Sequence, residues 1–444
     1  MRTITIASIL LVCLMGHNGR AQDTGAQFSP TQTAKEFVDQ LVQGDYSGCV
    51  AHFDSTVTRF LPEPKVKEMW DKLLEQVGSF KGQAGVRTQK YKVYDLVFVT
   101  CQFERDTLDM KIVLDAGGKI AGLFFVPTAA LPLYQSPLYV KRDSFREEDV
   151  TIGSGQWALP GSMTLPIGTG PFRAIVLVHG SGPNDRDETI GPNKPFRDLA
   201  WGLASKRIAV LRYEKRTREH AGEMLAVKNT LTVKEETIDD AIAAFSLLRR
   251  TKEVDSNRVY ILGHSLGATL LPRIGRLDQR ISGFVLLAGA TRPLEDLMLE
   301  QYTYIYSLDT VKAHARETQL AEVKRQADKV KSLKGSGSDS SESLLSIPVS
   351  YWLDLKGYNP AGVARTLSIP MLVLQGGRDY QVTVNDYEGW KASLGRKSAV
   401  TFKLYPKLNH LFIEGVGKST PSEYDIPGHI AEYVIVDIAD WINK

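Results

Sequence analysis

One serine of the chain lies in a pattern that activates a hydroxyl as a nucleophile. The residues Gly-His-Ser-Leu-Gly occupy positions 263–267 and form the chain's single G-x-S-x-G match. They directly follow the apolar run at 259–262 and precede a helical pattern at 266–276. A tight strand-to-helix turn of this kind exposes the serine hydroxyl at a helix N-terminus, which favours developing negative charge. The pattern predicts Ser265 as the nucleophile of an acyl transfer.

A glycine-rich loop predicts where the oxyanion of such a reaction is held. His-Gly-Ser-Gly-Pro at 179–183 ends an apolar strand pattern, and glycines let the backbone turn its N–H groups inward without a Cβ clash. We assign the oxyanion hole to the backbone N–H groups of Ser181 and Leu266, with Gly182 as the alternative to Ser181. His179 lies at a strand end before the serine, and we interpret it as a prop for this loop.

The acid and the base are expected after the serine in the chain. Gly-Gly-Arg-Asp at 376–379 places Asp379 at the end of a strand pattern, with Asp386 as the reserve acid. Leu-Asn-His-Leu-Phe at 408–412 places His410 after the next strand pattern, whereas His429 opens the terminal helix. A carboxylate holds the imidazole in the tautomer that accepts the serine proton. The sequence therefore predicts a triad of Ser265, Asp379 and His410.

The elements that must position these residues alternate between strands and helices. Unbroken runs rich in Val, Ile and Leu indicate strands that are covered on both faces of a sheet. An antiparallel pair at 150–152 and 157–165 opens the series, and the later strands are predicted at 173–180, 207–213, 259–263, 283–289, 370–376 and 400–406. The order and rhythm predict an α/β-hydrolase fold, an eight-stranded, mostly parallel sheet, over residues 136–444.

An interval between the sixth and seventh strands does not fit this rhythm. Residues 291–369 carry no predicted strand; they begin helical and aromatic, continue as a charged helix, and pass through Gly-Ser-Gly-Ser-Asp-Ser-Ser. A solvated insertion and a helical cap over the active site both fit this segment. An aromatic cluster favours the cap, because such a cluster is not typical of a solvated insertion; its members are Tyr302, Tyr304 and Tyr306.

The residues before the predicted eight-stranded sheet show a different pattern of helices and strands. Helical patterns at 33–44, 46–53 and 65–77 precede short alternating runs at 88–93, 94–103, 107–114 and 120–127. This order indicates a small α+β domain over residues 22–135. It resembles the cone-shaped, nuclear-transport-factor-2-like (NTF2-like) domains of the DUF3887 type that bacteria attach to exported enzymes.

The catalytic motifs together resemble a known family. The string HGSGPNDRDETIGPNKPFRDLAWGLA at 179–204, with GHSLGA, GGRDYQV and LNHLF, is similar to bacterial α/β-hydrolase esterases of the dienelactone-hydrolase-like group. The resemblance covers residues 145–444 and implies carboxylesterase activity on small or aryl esters. Asp185, Arg186, Asp187 and Glu188 either pin the oxyanion loop by ion pairs or line the substrate pocket.

The N-terminus predicts export. Arg2, a short apolar run at 4–15, and small residues at Gly19 and Ala21 form a signal peptide over residues 1–21, so a periplasmic or extracellular protein is expected. Cleavage leaves Cys49 and Cys101, which we interpret as two buried apolar side chains; a disulfide is the alternative.

Composition excludes some partners. The net charge is +3, from 54 basic and 51 acidic residues, and no segment concentrates it. A nucleic-acid partner is therefore not expected, nor is a membrane span after the signal peptide. We expect a small-molecule ester substrate and no metal or cofactor; a homodimer is left open. The rival hypotheses are a peptidase of the dipeptidyl or prolyl oligopeptidase type and a binding protein that lacks catalysis.

Overall fold

A computed structural model describes residues 29–91, 94–128, 134–220, 223–224, 227–308, 313–334 and 343–444. The predicted signal peptide at 1–21 lies outside the described residues, so export stays a prediction. The chain divides into two compact units, Met1–Ala130 and Leu131–Lys444. Within the described residues, no helix is both long and apolar enough to cross a membrane.

The first unit packs helices against one antiparallel sheet. Its sheet has four strands in the order β1-β2-β3-β4. The elements are α1 (Pro30–Gln43), α2 (Tyr46–Ala51), α3 (Ser55–Phe60), α4 (Glu63–Val77), β1 (Phe80–Tyr91), β2 (Tyr94–Phe103), β3 (Thr107–Leu114) and β4 (Ile120–Pro127). Phe37 and Leu41 of α1 are buried in one core with Val97 of β2 and Ile112 of β3. Burial of this shared apolar face stabilises the unit.

Both cysteines of this unit are free thiols. Cys49 and Cys101 are fully buried in the same apolar core and form no disulfide. Burial raises the pKa of each thiol to about 12. Each therefore behaves as a small apolar side chain, which is the interpretation that the sequence favoured.

The second unit is built on a sheet of eight strands in the order β14-β13-β10-β9-β7-β8-β6-β5. Strands β5 and β6 pair antiparallel, β6 pairs antiparallel with β8, and the remaining neighbours are parallel. The strands are β5 (Phe145–Ile152), β6 (Leu159–Pro166), β7 (Phe172–Val178), β8 (Ala209–Tyr213), β9 (Val254–His264), β10 (Phe284–Leu287), β13 (Met371–Gly376) and β14 (Val400–Tyr405). The predicted fold, an α/β-hydrolase sheet preceded by a small α+β domain, is confirmed.

Helices cover both faces of this sheet, which explains why its strands are apolar throughout. In β7, Ala174 and Val176 lie in one core, and Ile175 and Leu177 lie in the other. The helices are α5 (Pro195–Ala204), α6 (Arg216–Glu219), α7 (Asp239–Arg250), α8 (Leu266–Leu277), α9 (Leu294–Ser307), α10 (Ala313–Ser332), α11 (Val349–Leu355), α12 (Pro360–Thr366), α13 (Val384–Leu394) and α14 (Glu432–Asn443). A π-helical turn, Lys234–Ile238, precedes α7, and short 3₁₀ turns lie at Arg142–Ser144, Gly155–Trp157, Lys228–Thr230 and Pro421–Asp425.

The segment at 291–369 is helical in its described parts, with one difference from the prediction. Helices α9 to α12 occupy it, but β11 (Ser343–Leu344) and β12 (Ile347–Pro348) form a two-residue antiparallel ladder. The expectation that it carries no strand is therefore wrong. Leu344 and Trp352 lie in a small apolar cluster of this segment, and Trp352 donates its indole N–H to the carbonyl of Leu344. The ladder is too short to give a recognisable alternating pattern in sequence.

Candidate active site

Ser265 lies on a strained turn between β9 and α8. Its φ is 54° and its ψ is −116°, an unusual conformation for a residue that bears a side chain. Its backbone N–H donates to the carbonyl of Leu287 in the neighbouring strand at 2.9 Å, and its carbonyl accepts the N–H and hydroxyl of Thr269. These bonds over-determine the turn, so the surrounding structure maintains the strain.

Two glycines allow the turn to pack against its neighbours. A Cβ on Gly263 would lie 2.4 Å from the carbonyl carbon of Gly267, and a Cβ on Gly267 would lie 2.3 Å from the carbonyl oxygen of Val178. Neither distance is tolerable for a carbon atom. The glycines of the G-x-S-x-G pattern therefore let β9, α8 and the end of β7 approach each other closely.

His410 and Asp379 form a buried pair. His410 Nδ1 lies 2.7 Å from Asp379 Oδ2, and both side chains are almost fully buried. Asp379 Oδ1 accepts the backbone N–H groups of Gln381 at 2.8 Å and Val382 at 3.0 Å. Gln375, at the end of β13, donates its amide N–H to the other carboxylate oxygen at 3.2 Å. These bonds hold the carboxylate in the orientation that fixes the imidazole ring.

His264 connects this pair to the serine turn. It directly precedes Ser265, and its ring centroid lies 4.6 Å from the ring centroid of His410. Its Nε2 lies 3.0 Å from the backbone carbonyl oxygen of His410. The structure therefore places the His410–Asp379 pair against His264, the residue that precedes Ser265.

His264 also faces a buried carboxylate. Its Nδ1 lies 2.9 Å from Glu188 Oε2, a close approach that is not aligned as a hydrogen bond. Burial alone lowers the pKa of an imidazole, but the Glu188 carboxylate outweighs it and holds the pKa of His264 above its ordinary value. Burial alone raises the pKa of a carboxyl, but His264 and the N–H of Gly180 bring the pKa of Glu188 below its ordinary value. Because both nitrogens of His264 face acceptors, these partners favour the doubly protonated ring.

The loop after β7 approaches the nucleophile. A Cβ on Gly180 would lie 3.2 Å from Cβ of Ser265. Ser181 follows in an exposed position, and Gly182 has a φ of 90°. Gly180 therefore lies against Ser265, and Leu266 begins α8, where the first N–H groups have no partner within the helix.

His179, after the end of β7, contacts the loop that follows this strand. Its Nε2 lies 3.0 Å from the carbonyl oxygen of Asp185, and its ring packs against Phe196 and Tyr213. Burial lowers its pKa to about 4, so the ring is neutral at pH 7. Its Nε2–H therefore donates to Asp185.

The Asp-Arg-Asp-Glu string at 185–188 pins the loop. Asp185 accepts the backbone N–H and the hydroxyl of Thr189 at 2.8 and 2.7 Å. Arg186 contacts Glu214 at 2.8 Å. Asp187 is buried and pairs with three cations, Lys194, Arg197 and Arg212. Glu188 Oε1 accepts the N–H of Gly180 at 2.7 Å. These contacts fit the ion-pair interpretation of the string, and Arg186 also lines a surface pocket with Asp149 and Glu219.

The reserve residues have other partners. Asp386, the alternative acid, is fully buried and accepts from Thr291 N and from the Arg292 guanidinium. His429, the alternative base, contacts Asp198 at 3.1 Å. In the part of the chain that the structure describes, neither residue contacts the His410–Asp379 pair, so each has a local structural role.

The first helix of the insertion is attached to the loops that carry Asp379 and His410. Tyr304 of α9 stacks on Tyr380 with ring centroids 5.1 Å apart, and Tyr380 stacks on Tyr424 at 6.3 Å. The Tyr304 hydroxyl donates to the carbonyl of Ser419 at 2.7 Å. Gln301 donates to the carbonyl of Gln381 at 2.9 Å. The helix therefore lies beside the residue that follows Asp379.

Sequence reasoning missed several residues of this site. The buried Lys215, Glu236 and Gln375 were not singled out, and His264 was regarded only as part of the turn. A usable signal existed for Lys215, because it is a cation two residues after the end of the buried strand β8. Among the described residues, no group of three His, Cys, Asp or Glu side chains is arranged to hold a metal ion.

Comparisons with known proteins place both units. A family model described as "Serine aminopeptidase, S33" matches residues 171–414, and one described as a protein of unknown function (DUF3887) matches residues 34–123. Esterase EstD of Thermotoga maritima is 40% identical over 413 residues, which cover 93% of this chain and 95% of that protein.

Solved structures of α/β hydrolases are also similar. An esterase of Pyrococcus furiosus is 15% identical with a TM-score of 0.42, and the match covers 70% of this chain and 96% of that one. A dienelactone hydrolase of Anabaena variabilis is 15% identical with a TM-score of 0.41, covering 68% of this chain and 98% of that one.

Proposed function

Because the chain belongs to the serine hydrolase family described as serine aminopeptidase S33 and is a carboxylic ester hydrolase, we propose that it cleaves small or aryl esters with Ser265, His410 and Asp379. The observation that carries the triad is the 2.7 Å contact between His410 and Asp379, beside the strained turn of Ser265. The ester class follows the relative with 40% identity.

In the proposed mechanism, Ser265 attacks the acyl carbonyl while His410 Nε2 takes its proton. Asp379 holds Nδ1 of the same ring, so that Nε2 presents its lone pair, and it stabilises the imidazolium that forms. His410 then protonates the leaving alkoxide, and water repeats the sequence to release the acid from the acyl-enzyme.

The oxyanion is proposed to bind the backbone N–H groups of Ser181 and Leu266. The closeness of Gly180 to Ser265 and the position of Leu266 at the start of α8 support this assignment. Donors that are fixed before the reaction need no reorganisation as charge develops, and each such donor contributes about 10²–10³ in kcat.

Labelling with a fluorophosphonate probe tests the nucleophile. The wild type should be labelled and Ser265→Ala should not, whereas Ser181→Ala, which keeps its backbone N–H, should retain labelling. Labelling that persists in Ser265→Ala contradicts the mechanism. No labelling of the folded wild type favours the rival hypothesis of a binding protein on a hydrolase scaffold.

A peptidase is the second candidate, because the matching family model carries the description of an aminopeptidase. Turnover of an aryl-ester panel should be compared with turnover of an Xaa-Pro-anilide. Cleavage of the anilide without cleavage of any ester overturns the esterase proposal.

We further propose that the protein is exported and that the segment at 291–369 caps the active site. The apolar run at 4–15 and the small residues before Gln22 support export. N-terminal sequencing of the protein from a bacterial periplasm should begin at Gln22; an intact N-terminus contradicts the prediction. The stacking of Tyr304 on Tyr380 supports the cap.

A further inference from the structure

The peptide between Gly180 and Ser181 is held by a buried lysine. Lys215 Nζ donates to the carbonyl oxygen of Gly180 at 2.7 Å, and Lys215 is only 2% exposed. Asn184 adds a longer bond to the same oxygen at 3.3 Å. In a planar trans peptide, the carbonyl of Gly180 and the N–H of Ser181 point in opposite directions. A bond that fixes the carbonyl therefore also fixes the direction of the Ser181 N–H.

We propose that Lys215 is a positioning residue that aims the Ser181 N–H into the oxyanion hole. The inference rests on the proposed function, in which that N–H binds the oxyanion. The ammonium acts on the far side of the peptide from the reacting atoms. It also polarises the peptide, because hydrogen bonds in a chain strengthen one another. A polarised peptide is a stronger N–H donor.

The surroundings of Lys215 hold the ammonium in one position. Glu236 is buried and lies 2.7 Å from Lys215 Nζ, and the Tyr351 hydroxyl donates to the other carboxylate oxygen. Glu236 lies in the π-helical turn Lys234–Ile238, an arrangement often found at functional sites. The backbone N–H of Lys215 donates to the carbonyl of Asn184 at 3.1 Å. A buried cation with these partners has little freedom to leave Gly180.

The backbone N–H of Gly180, which belongs to the preceding peptide, is also hydrogen-bonded. Glu188 accepts its N–H at 2.7 Å, so a buried anion and a buried cation fix the two backbone groups of one glycine. A glycine without these partners is conformationally permissive. The opposed charges therefore restrict the residue that leads into the oxyanion loop to one orientation.

The test compares two neighbouring buried ion pairs. Lys215→Met with Glu236→Gln removes the bond to Gly180 without leaving an unpaired charge. Arg216→Met with Asp240→Asn removes the adjacent buried pair, for which no contact with Gly180 is found among the described residues. Steady-state hydrolysis of p-nitrophenyl acetate and inhibition by phenylboronic acid, which mimics the tetrahedral oxyanion, are measured for both double variants and the wild type.

The Lys215 double variant should lose about 10- to 100-fold in kcat, part of the contribution of one oxyanion donor, with KM changed less than about threefold. Its affinity for phenylboronic acid should weaken by a similar factor. The Arg216 double variant should stay within about threefold of the wild type in both measurements. Equal losses in the two double variants, or a loss confined to KM, overturn the inference.

Single variants keep the test decisive. Glu236→Gln retains the bond from Lys215 to Gly180 and should keep kcat within about threefold; a loss as large as in the double variant overturns the inference. If the double variant does not fold, the half-exposed Asn184→Ala replaces it, with an expected two- to fivefold loss in kcat. If the wild type shows no turnover that depends on Ser265, the proposed function fails. If it does, and removal of Lys215 has no specific effect, only this inference fails.

Discussion

Replacing Glu188 by glutamine tests whether Glu188 and His264, the residue before the nucleophile, form a buried charge pair. The substitution keeps the shape of the side chain and removes its charge. The amide oxygen can still accept the N–H of Gly180, and the amide N–H can donate to His264 Nδ1 once that ring loses a proton. His264 Nε2–H keeps its bond to the carbonyl of His410. The variant therefore loses charge while both polar contacts of the side chain can be kept.

The expected cost follows from the two contacts of Glu188. The N–H of Gly180 donates to a charged group, worth about 1.5–3 kcal/mol against about 0.5–1.5 kcal/mol for a neutral acceptor. Loss of the charge in the close contact with His264 costs a similar amount, so the free energy of unfolding should fall by about 2 kcal/mol in total. For the unit Leu131–Lys444, the Tm should fall by about 3 °C. Glu188→Leu leaves the buried partners unsatisfied and should cost more, about 3–5 kcal/mol.

The pH dependence identifies the charges. Glu188 has a lowered pKa, so its contribution is present above its ordinary value of 4.5 and is lost as pH falls through the folded pKa. His264 has a raised pKa, so its contribution is complete below its ordinary value of 6.5 and is lost as pH rises through the folded pKa. The difference in Tm between wild type and Glu188→Gln should therefore be largest between those two values and shrink toward alkaline pH.

Differential scanning calorimetry from pH 5 to pH 9.5 measures this difference. Glu188→Leu serves as the comparison for lost hydrogen bonding. A difference between wild type and Glu188→Gln that stays constant across this range would refute a cationic His264. A larger cost for glutamine than for leucine would refute the preserved polar contacts.

Three further predictions concern the same site. Asp379→Asn should lower kcat about 10⁴-fold, because the imidazole of His410 is no longer held in the productive tautomer, while Asp386→Asn should leave kcat within about tenfold. Steady-state kinetics distinguishes the two acids, and equal losses would contradict the assignment. Gly267→Ala should lower the free energy of unfolding by at least about 1–3 kcal/mol, because the added Cβ would lie 2.3 Å from the carbonyl oxygen of Val178. The control is Gly85→Ala, whose Cβ would have no atom within 4 Å. Chemical denaturation compares the two variants, and equal effects would contradict the packing. Burial lowers the pKa of His179 from 6.5 to about 4, so as pH falls between those values the unfolded chain takes up a proton first and up to about 3 kcal/mol of stability is lost. His179→Gln should reduce this pH dependence of the free energy of unfolding in denaturant titrations. An unchanged pH dependence in the variant would contradict the assignment to His179.

The elements and the nucleophile could be predicted from sequence because their signals are local. A strand that is covered on both faces is apolar at every position, and the glycines around Ser265 are required by contacts within the turn itself and with the adjacent strand end. The chain order of serine, acid and base together with the strand ends then favoured Asp379 and His410, which follow β13 and β14. Parallel strands bring such residues to the same edge of a sheet.

The partners of the buried charges could be decided only by the tertiary structure. Lys215 and Gly180 are 35 residues apart, and His264 contacts the carbonyl of a residue 146 positions away. A buried charge needs a partner, but any acid or carbonyl that the fold brings near can serve, so residue type alone does not identify it. The sequence thus determined which residues can do the chemistry and which strands carry them. The packing of loops from β7, β8 and β9 decided which charges hold them in place, because desolvated ions bind the nearest group that satisfies them.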